Sequence, residues 1–342
     1  MPTRHPSEPV VFLGYINNFR AIATLFVVFN HSVPALDWTG DDQLSRLIKI
    51  VFTNGAVLFT FIAGFLFQHL VYKFDYRTYL IARFKLVVTP YLILSLPAVL
   101  TWTFLYQKTS LGIPADFYSW SSAMRILYLY VTGLHLAPVW FIPMIVLFYL
   151  AAPVFHWFDR CPRAYWILPA LMLLSYIVPR HWNPVIAFVH FLSIYVFGMF
   201  CSRYKQQVLP LTFKYLILLV VLFAVLVVVQ WLYTHEVQGY INYWIKLIVC
   251  VATIAVLARY DDRVGGPFKA FAAINFSVFF LHSYVLAGIK ILIVGRPATS
   301  LPIDGSVINH LLFASAVVLI SVLITLPLRK VTGKYSRHII GS

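Results

Sequence analysis

Charge is scarce in this sequence. Asp, Glu, Lys and Arg together make up 11% of 342 residues, while hydrophobic residues make up 61%, with mean hydropathy +0.84. That balance excludes a water-soluble globular domain and places the chain among proteins that cross a membrane several times. Cysteine is scarce too: Cys161, Cys201 and Cys250 are odd in number, scattered and without a CxxC pair. A disulfide framework and a zinc site are therefore excluded as expectations. There is no Gly-rich phosphate loop, no Ser-centred elbow, no metal-spaced His/Cys cluster and no internal repeat. A net charge of +15 would suggest nucleic acid in a soluble protein, but in a membrane protein it first concerns loop placement.

Long apolar runs are what the sequence has. Spans of about twenty residues fit a hydrocarbon layer roughly 30 Å thick. They fall at 12–35, 47–70, 86–106, 138–156, 165–179, 185–201, 213–233, 241–259, 270–293 and 306–327. The expected fold is all-α, with about ten transmembrane helices in one domain over 1–342. Within the long connection 107–137, Met124–Thr132 reads as an amphipathic segment. The first span is interrupted by Asn17, Asn18 and Arg20 and carries no small-residue cleavage site, so it is expected to stay in place as a span.

Lys and Arg set the orientation. Seventeen of the 26 fall on the side shared by both termini, Arg4 among them. The opposite loops hold Arg46, Lys49, Lys108, Arg125, Arg180 and Arg296, while Arg20, Lys246 and Lys290 lie in the spans. Both termini are predicted cytoplasmic, in an inner (plasma) membrane, with Lys246 and Lys290 snorkelling to the interface. The positive cytoplasmic face is ordinary topology signal, or in part a surface for an anionic, nucleotide-bearing ligand.

Ionisable side chains within a span usually mark function. His31 follows Arg20 by eleven residues. At about 100° and 1.5 Å per residue the two share a helix face to within roughly 20°, roughly 16 Å apart along the axis. A permanent cation and a titratable base on one stripe suit acyl transfer, with His31 as general base and Arg20 holding an anionic or carbonyl group. Periodicity alone equally allows Arg20 to snorkel and His31 to be a satisfied interface histidine. His282 is a second buried base candidate or an inter-helix fastener. Trp140 with Phe141 is read as outer-interface packing, or as a platform for an acceptor sugar.

Other pieces recur in order: Leu58–Phe67 (LFTFIAGFLF), Arg83-Phe-Lys85 running to Pro90-Tyr91, His135 through Trp140-Phe141, Phe197-Gly198, and Ser277-x4-His282. Together with Arg20-x10-His31 they resemble the acyltransferase-3 family of integral membrane O-acyltransferases, over nearly the whole chain. The resemblance implies transfer of an acyl group, commonly acetyl, from cytoplasmic acyl-CoA to a hydroxyl of a surface or exported polysaccharide. By that resemblance Arg20 and His31 are the essential pair, and Arg83 and Lys85 contact the donor. Leu86 stands where a second arginine is frequent, Asn17 where an acid is frequent three residues before Arg20, and Ala63 where a serine is common. His282, Trp140 and Asn17 are expected near the acceptor or behind the pair. No permanently bound cofactor or metal is implied; the partners are acyl-CoA, a glycan acceptor and membrane lipid, without nucleic acid. The rival class is a glycan exporter, whose inverted repeats are not found here. Acceptor identity, acyl type, direct transfer versus an acyl-enzyme, and oligomeric state stay open at the level of sequence.

Overall fold

A computed structural model describes residues 14–107, 112–233, 239–295 and 300–342. Arg4, Lys108 and Arg296 of the charge distribution lie outside them. Sixteen α-helices occur among the described residues, which contain no sheet, only an isolated bridge between Asp37 and Asp304. The first half comprises α1 (Gly14–Ser32), α2 (Asp42–Phe52), α3 (Gly55–His69), α4 (Tyr76–Arg83), α5 (Thr89–Leu100), α6 (Ser122–Thr132), α7 (Phe141–Leu150) and α8 (Ala152–Arg160). The second comprises α9 (Leu168–Ile177), α10 (Pro184–Arg203), α11 (Lys205–Lys214), α12 (Leu216–Tyr233), α13 (Tyr240–Tyr260), α14 (Gly266–Val294), α15 (Val307–Thr332) and α16 (Ser336–Ile339).

Seven helices among the described residues are long and apolar enough to cross a membrane, or eight if the bent pair α7–α8 forms one span. Two of the ten expected spans stand apart for physical reasons. α1 has 19 residues, but its own Asn17, Asn18, Arg20, Asn30 and His31 lower its hydropathy. α9 has ten residues, about 15 Å of helix, half of a hydrocarbon layer. Met124–Thr132 falls within α6, whose N-cap Ser121 accepts from the Met124 N–H.

Local chemistry explains where the spans break. Tyr76–Leu105 runs as one long helix, yet Pro90 brings no N–H and cannot donate to the Leu86 carbonyl. The chain widens into a π-type turn over Phe84–Val88, the Thr89 N–H donating to Phe84 five residues back. In the second span, Asn54 adopts φ +63 and separates α2 from α3. The carbonyls stranded at the end of α2 take donors from α13: Lys246 Nζ bonds Ile50 O at 3.1 Å and also Val51 O, and Asn242 Nδ2 bonds Ile50 O at 3.0 Å. Lys246 is thus fully buried, over the Phe26 ring. The sequence expectation that it snorkels is corrected: helix-end carbonyls attract a cation, and the break supplies two of them.

The core packs α1, α3, α7, α10, α13 and α14 around one aromatic-rich cluster. α3 lies against α10 through two glycines. A Cβ on Gly64 would fall on the Tyr195 carbonyl, and one on Gly198 on the Phe61 carbonyl. α1 packs between α3 on one side and α14 and α15 on another. α12 buries only Val227 and Gln230, a nearly bare Leu/Val surface suited to lipid.

Candidate active site

Two cavities of about 400 Å³ each lie end to end along α1. The stripe of α1 that serves them runs Asn17, Arg20, Thr24, Val27 and His31, steps of three and four residues that keep one helix face. Asn17 and Arg20 line the first cavity; Val27, Asn30 and His31 line the second. Between them Thr24 is buried and donates to Asn275 Oδ1 of α14 at 3.3 Å.

The first cavity carries four arginines: Arg20, Arg83, Arg329 and Arg337. Arg83 stands at the end of α4, just before the π-type turn, its guanidinium over the rings of Tyr79 at 4.9 Å and Tyr149 at 5.7 Å. Arg329 and Arg337 are exposed at its mouth. No Asp or Glu lines this cavity among the described residues. Lys85 is exposed and is not among the lining residues, whereas Leu86 is; the helical turn after Arg83 points Lys85 elsewhere. Arg329 and Arg337 escaped the sequence reading because they sit more than 240 residues from Arg83 and look like ordinary inner-face cations. The segment bearing Arg337 is anchored by Ser277, whose hydroxyl lies 2.6 Å from Ile340 O and 2.6 Å from Ser342 Oγ. The Ser277 and His282 of one sequence motif therefore serve different neighbours.

The second cavity holds His31 together with Asn30, Thr53, Asn54, Trp140, Arg180 and Trp182. His31 faces His282 of α14, ring centroids 5.6 Å apart. His282 is fully buried, with Nδ1 at 3.2 Å from Val278 O, and its Nε2 finds no hydrogen-bond partner among the described residues. Thr53 donates to Asn30 Oδ1 at 2.8 Å, tying the helix break to α1. Trp140 is buried, with Arg180 over its ring at 4.5 Å and Phe191 beside it at 6.1 Å. The turn at Gly133, φ +70, lets α6 close directly on the Trp140 backbone, and the indole is buried among protein neighbours. Arg180 and Trp182, in the short loop before α10, were legible only as a loop cation and an aromatic between two prolines.

Phe59 of α3 and Phe141 of α7 line both cavities and form the wall between them, ring centroids 5.7 Å apart. Phe279 closes on Phe59 at 5.4 Å.

An apolar helical bundle enclosing an arginine-lined cavity and a histidine-bearing cavity defines a multi-pass membrane protein with an internal site. A family described as an acyltransferase domain matches residues 13–330, and the chain belongs to that family, acyltransferase-3. It is a membrane acyltransferase by that membership. No curated protein and no solved structure matches this chain.

Proposed function

We propose that this protein transfers an acetyl group from cytoplasmic acetyl-CoA to a hydroxyl of a surface or exported polysaccharide, acting as one unit with ten spans and both termini cytoplasmic. The observation that carries the reading is the pair of cavities meeting at Phe59 and Phe141, with Arg20 on one side and His31 on the other. In the orientation predicted from Lys and Arg, the arginine-lined cavity opens to the cytoplasm and the His31 cavity outward.

The donor's phosphates meet Arg83, Arg329 and Arg337, which line a cavity without acidic residues among those described. Guanidinium groups suit phosphate through paired N–H donors. The uncharged pantetheine arm extends past Arg20 and carries the thioester between Phe59 and Phe141, whose side chains part to let it reach the His31 side. An acceptor hydroxyl in the outer cavity loses its proton to His31 as its oxygen attacks the thioester carbonyl. The new C–O bond forms, the C–S bond breaks, and the thiolate takes the proton from His31 to leave as the free thiol, returning His31 to its neutral form. Positioned proton transfer of this kind supplies about 10² to 10⁴ in rate.

The test is acceptor O-acetylation, read by mass analysis of surface glycans, in cells carrying His31→Ala or Arg20→Ala at matched membrane abundance. Each variant is expected to lose acylation by at least about a hundredfold. Parent-level acylation in both would overturn the mechanism. An exporter would move glycan without consuming acetyl-CoA, so thiol release by the purified protein separates the two classes.

A further inference from the structure

Arg180 has no role in the proton transfer just described, yet its guanidinium lines the outer cavity beside His31. It is held in place by neutral groups only. Nη1 donates to Asn54 Oδ1 at 2.7 Å, and the guanidinium plane lies over Trp140 at 4.5 Å. Asn54 is itself fixed from behind, its Nδ2 donating to Asn242 Oδ1 at 2.7 Å. No carboxylate lies within ion-pair distance of Arg180 among the described residues, and none of those residues lining the cavity is acidic.

Two other arginines that the topology assigns to the outer face show what structural arginines do here. Arg46 donates to the Gln230 carbonyl at 3.1 Å and Arg125 to the Thr103 carbonyl at 2.8 Å, each closing a gap between helices. Arg180 instead is oriented by an amide and a ring face and presents its remaining N–H donors to an open cavity. A permanently charged guanidinium has five donors and cannot shed its proton. Holding it in a partly dry cavity without a counter-charge is unfavourable, and a ligand anion offsets that penalty with short, charge-assisted, paired hydrogen bonds.

We infer that the acceptor is an anionic glycan, whose carboxylate or phosphate group is bound by Arg180 beside the hydroxyl that His31 activates. The inference rests on the acyl-transfer reading for the word acceptor, but the anion site itself stands on the outer cavity alone. Trp182, which also lines this cavity, supplies an apolar wall for the sugar ring.

The experiment is equilibrium dialysis of the purified full-length protein with radiolabelled methyl glucuronoside, glucose 1-phosphate and methyl glucoside. The parent is expected to bind at least one of the anionic sugars about tenfold or more tighter than the neutral one. Preference for the glucuronoside identifies a carboxylate, and preference for glucose 1-phosphate a phosphate. Arg180→Gln is expected to abolish the preference, and Arg180→Lys, which keeps the charge but loses the fork, to retain part of it. Equal or undetectable binding of anionic and neutral sugars by the parent overturns the inference. So does a preference that survives in Arg180→Gln, as it would if Arg180 served only the reacting carbonyl. Thiol release from acetyl-CoA is read in parallel. Anion preference without any thioester loss sinks acyl transfer and leaves the anion site, whereas thioester loss without preference does the reverse.

Discussion

His31 and His282 stand 251 positions apart on α1 and α14, yet their rings face each other at 5.6 Å. His282 has one nitrogen engaged by its own helix and one without a partner among the described residues, so it presents His31 with a second imidazole inside an apolar cluster. Arg83 shows how a residue in a familiar motif depends on its neighbours: Tyr79 and Tyr149 hold its guanidinium, and Arg329 and Arg337 extend the same positive surface to the mouth. These two exposed arginines give a prediction at residue scale. Arg329→Gln combined with Arg337→Gln is expected to raise KM for acetyl-CoA about tenfold while kcat stays near the parent value, the signature of lost ground-state binding. Thiol-release kinetics measure it, and an unchanged KM removes both residues from the donor site.

At the scale of elements, three irregularities position the site. The π-type turn before Pro90 follows Arg83; the break at Asn54 opens α2–α3 beside the His31 cavity, which Thr53 and Asn54 line; and a 54° bend between α7 and α8 comes just after Tyr149. Each freed backbone group is costly in a membrane unless it finds a partner, and Lys246 with Asn242 supplies the partners at the second of them. The close crossing of α3 and α10 sets the depth of the aromatic wall, because Phe59 and Phe61 ride on the helix that Gly64 brings into contact. Gly64→Ala is expected to lower stability by about 1–3 kcal/mol, since the added methyl group meets backbone that cannot give way. Thermal unfolding of the detergent-purified protein measures it; an unshifted midpoint would mean the two helices can separate at no cost.

For the whole molecule, the decisive feature is that the two cavities are separate volumes with a shared wall. Phe59 and Phe141 keep the space that holds His31 apart from the arginine-lined one. Phe59→Ala is expected to join them and admit water to the thioester, raising acceptor-independent hydrolysis of acetyl-CoA about tenfold or more as transfer to glycan falls. Release of thiol without acceptor measures this, and a parent-level leak would show that the wall does not exclude water. On the proposed reading, the arginines gather where a polyanionic donor would enter and Arg180 stands where the glycan would arrive.

The Arg20 to His31 stripe needed only the sequence, because helical period is local: steps of three and four residues put both side chains on one face wherever the helix sits. The all-α architecture and most of the span limits followed from apolar run length for the same reason. Ala63, Leu86 and Asn17 all line the arginine-bearing cavity, but nothing in their spacing says what faces them. That Arg329 and Arg337 join Arg83, that His282 meets His31, that Trp140 is buried beneath Arg180 and that Lys85 stands outside the cavity were decided by which helices pack together. Those pairings join residues distant in sequence, and burial of whole helix faces, not any local pattern, selects them.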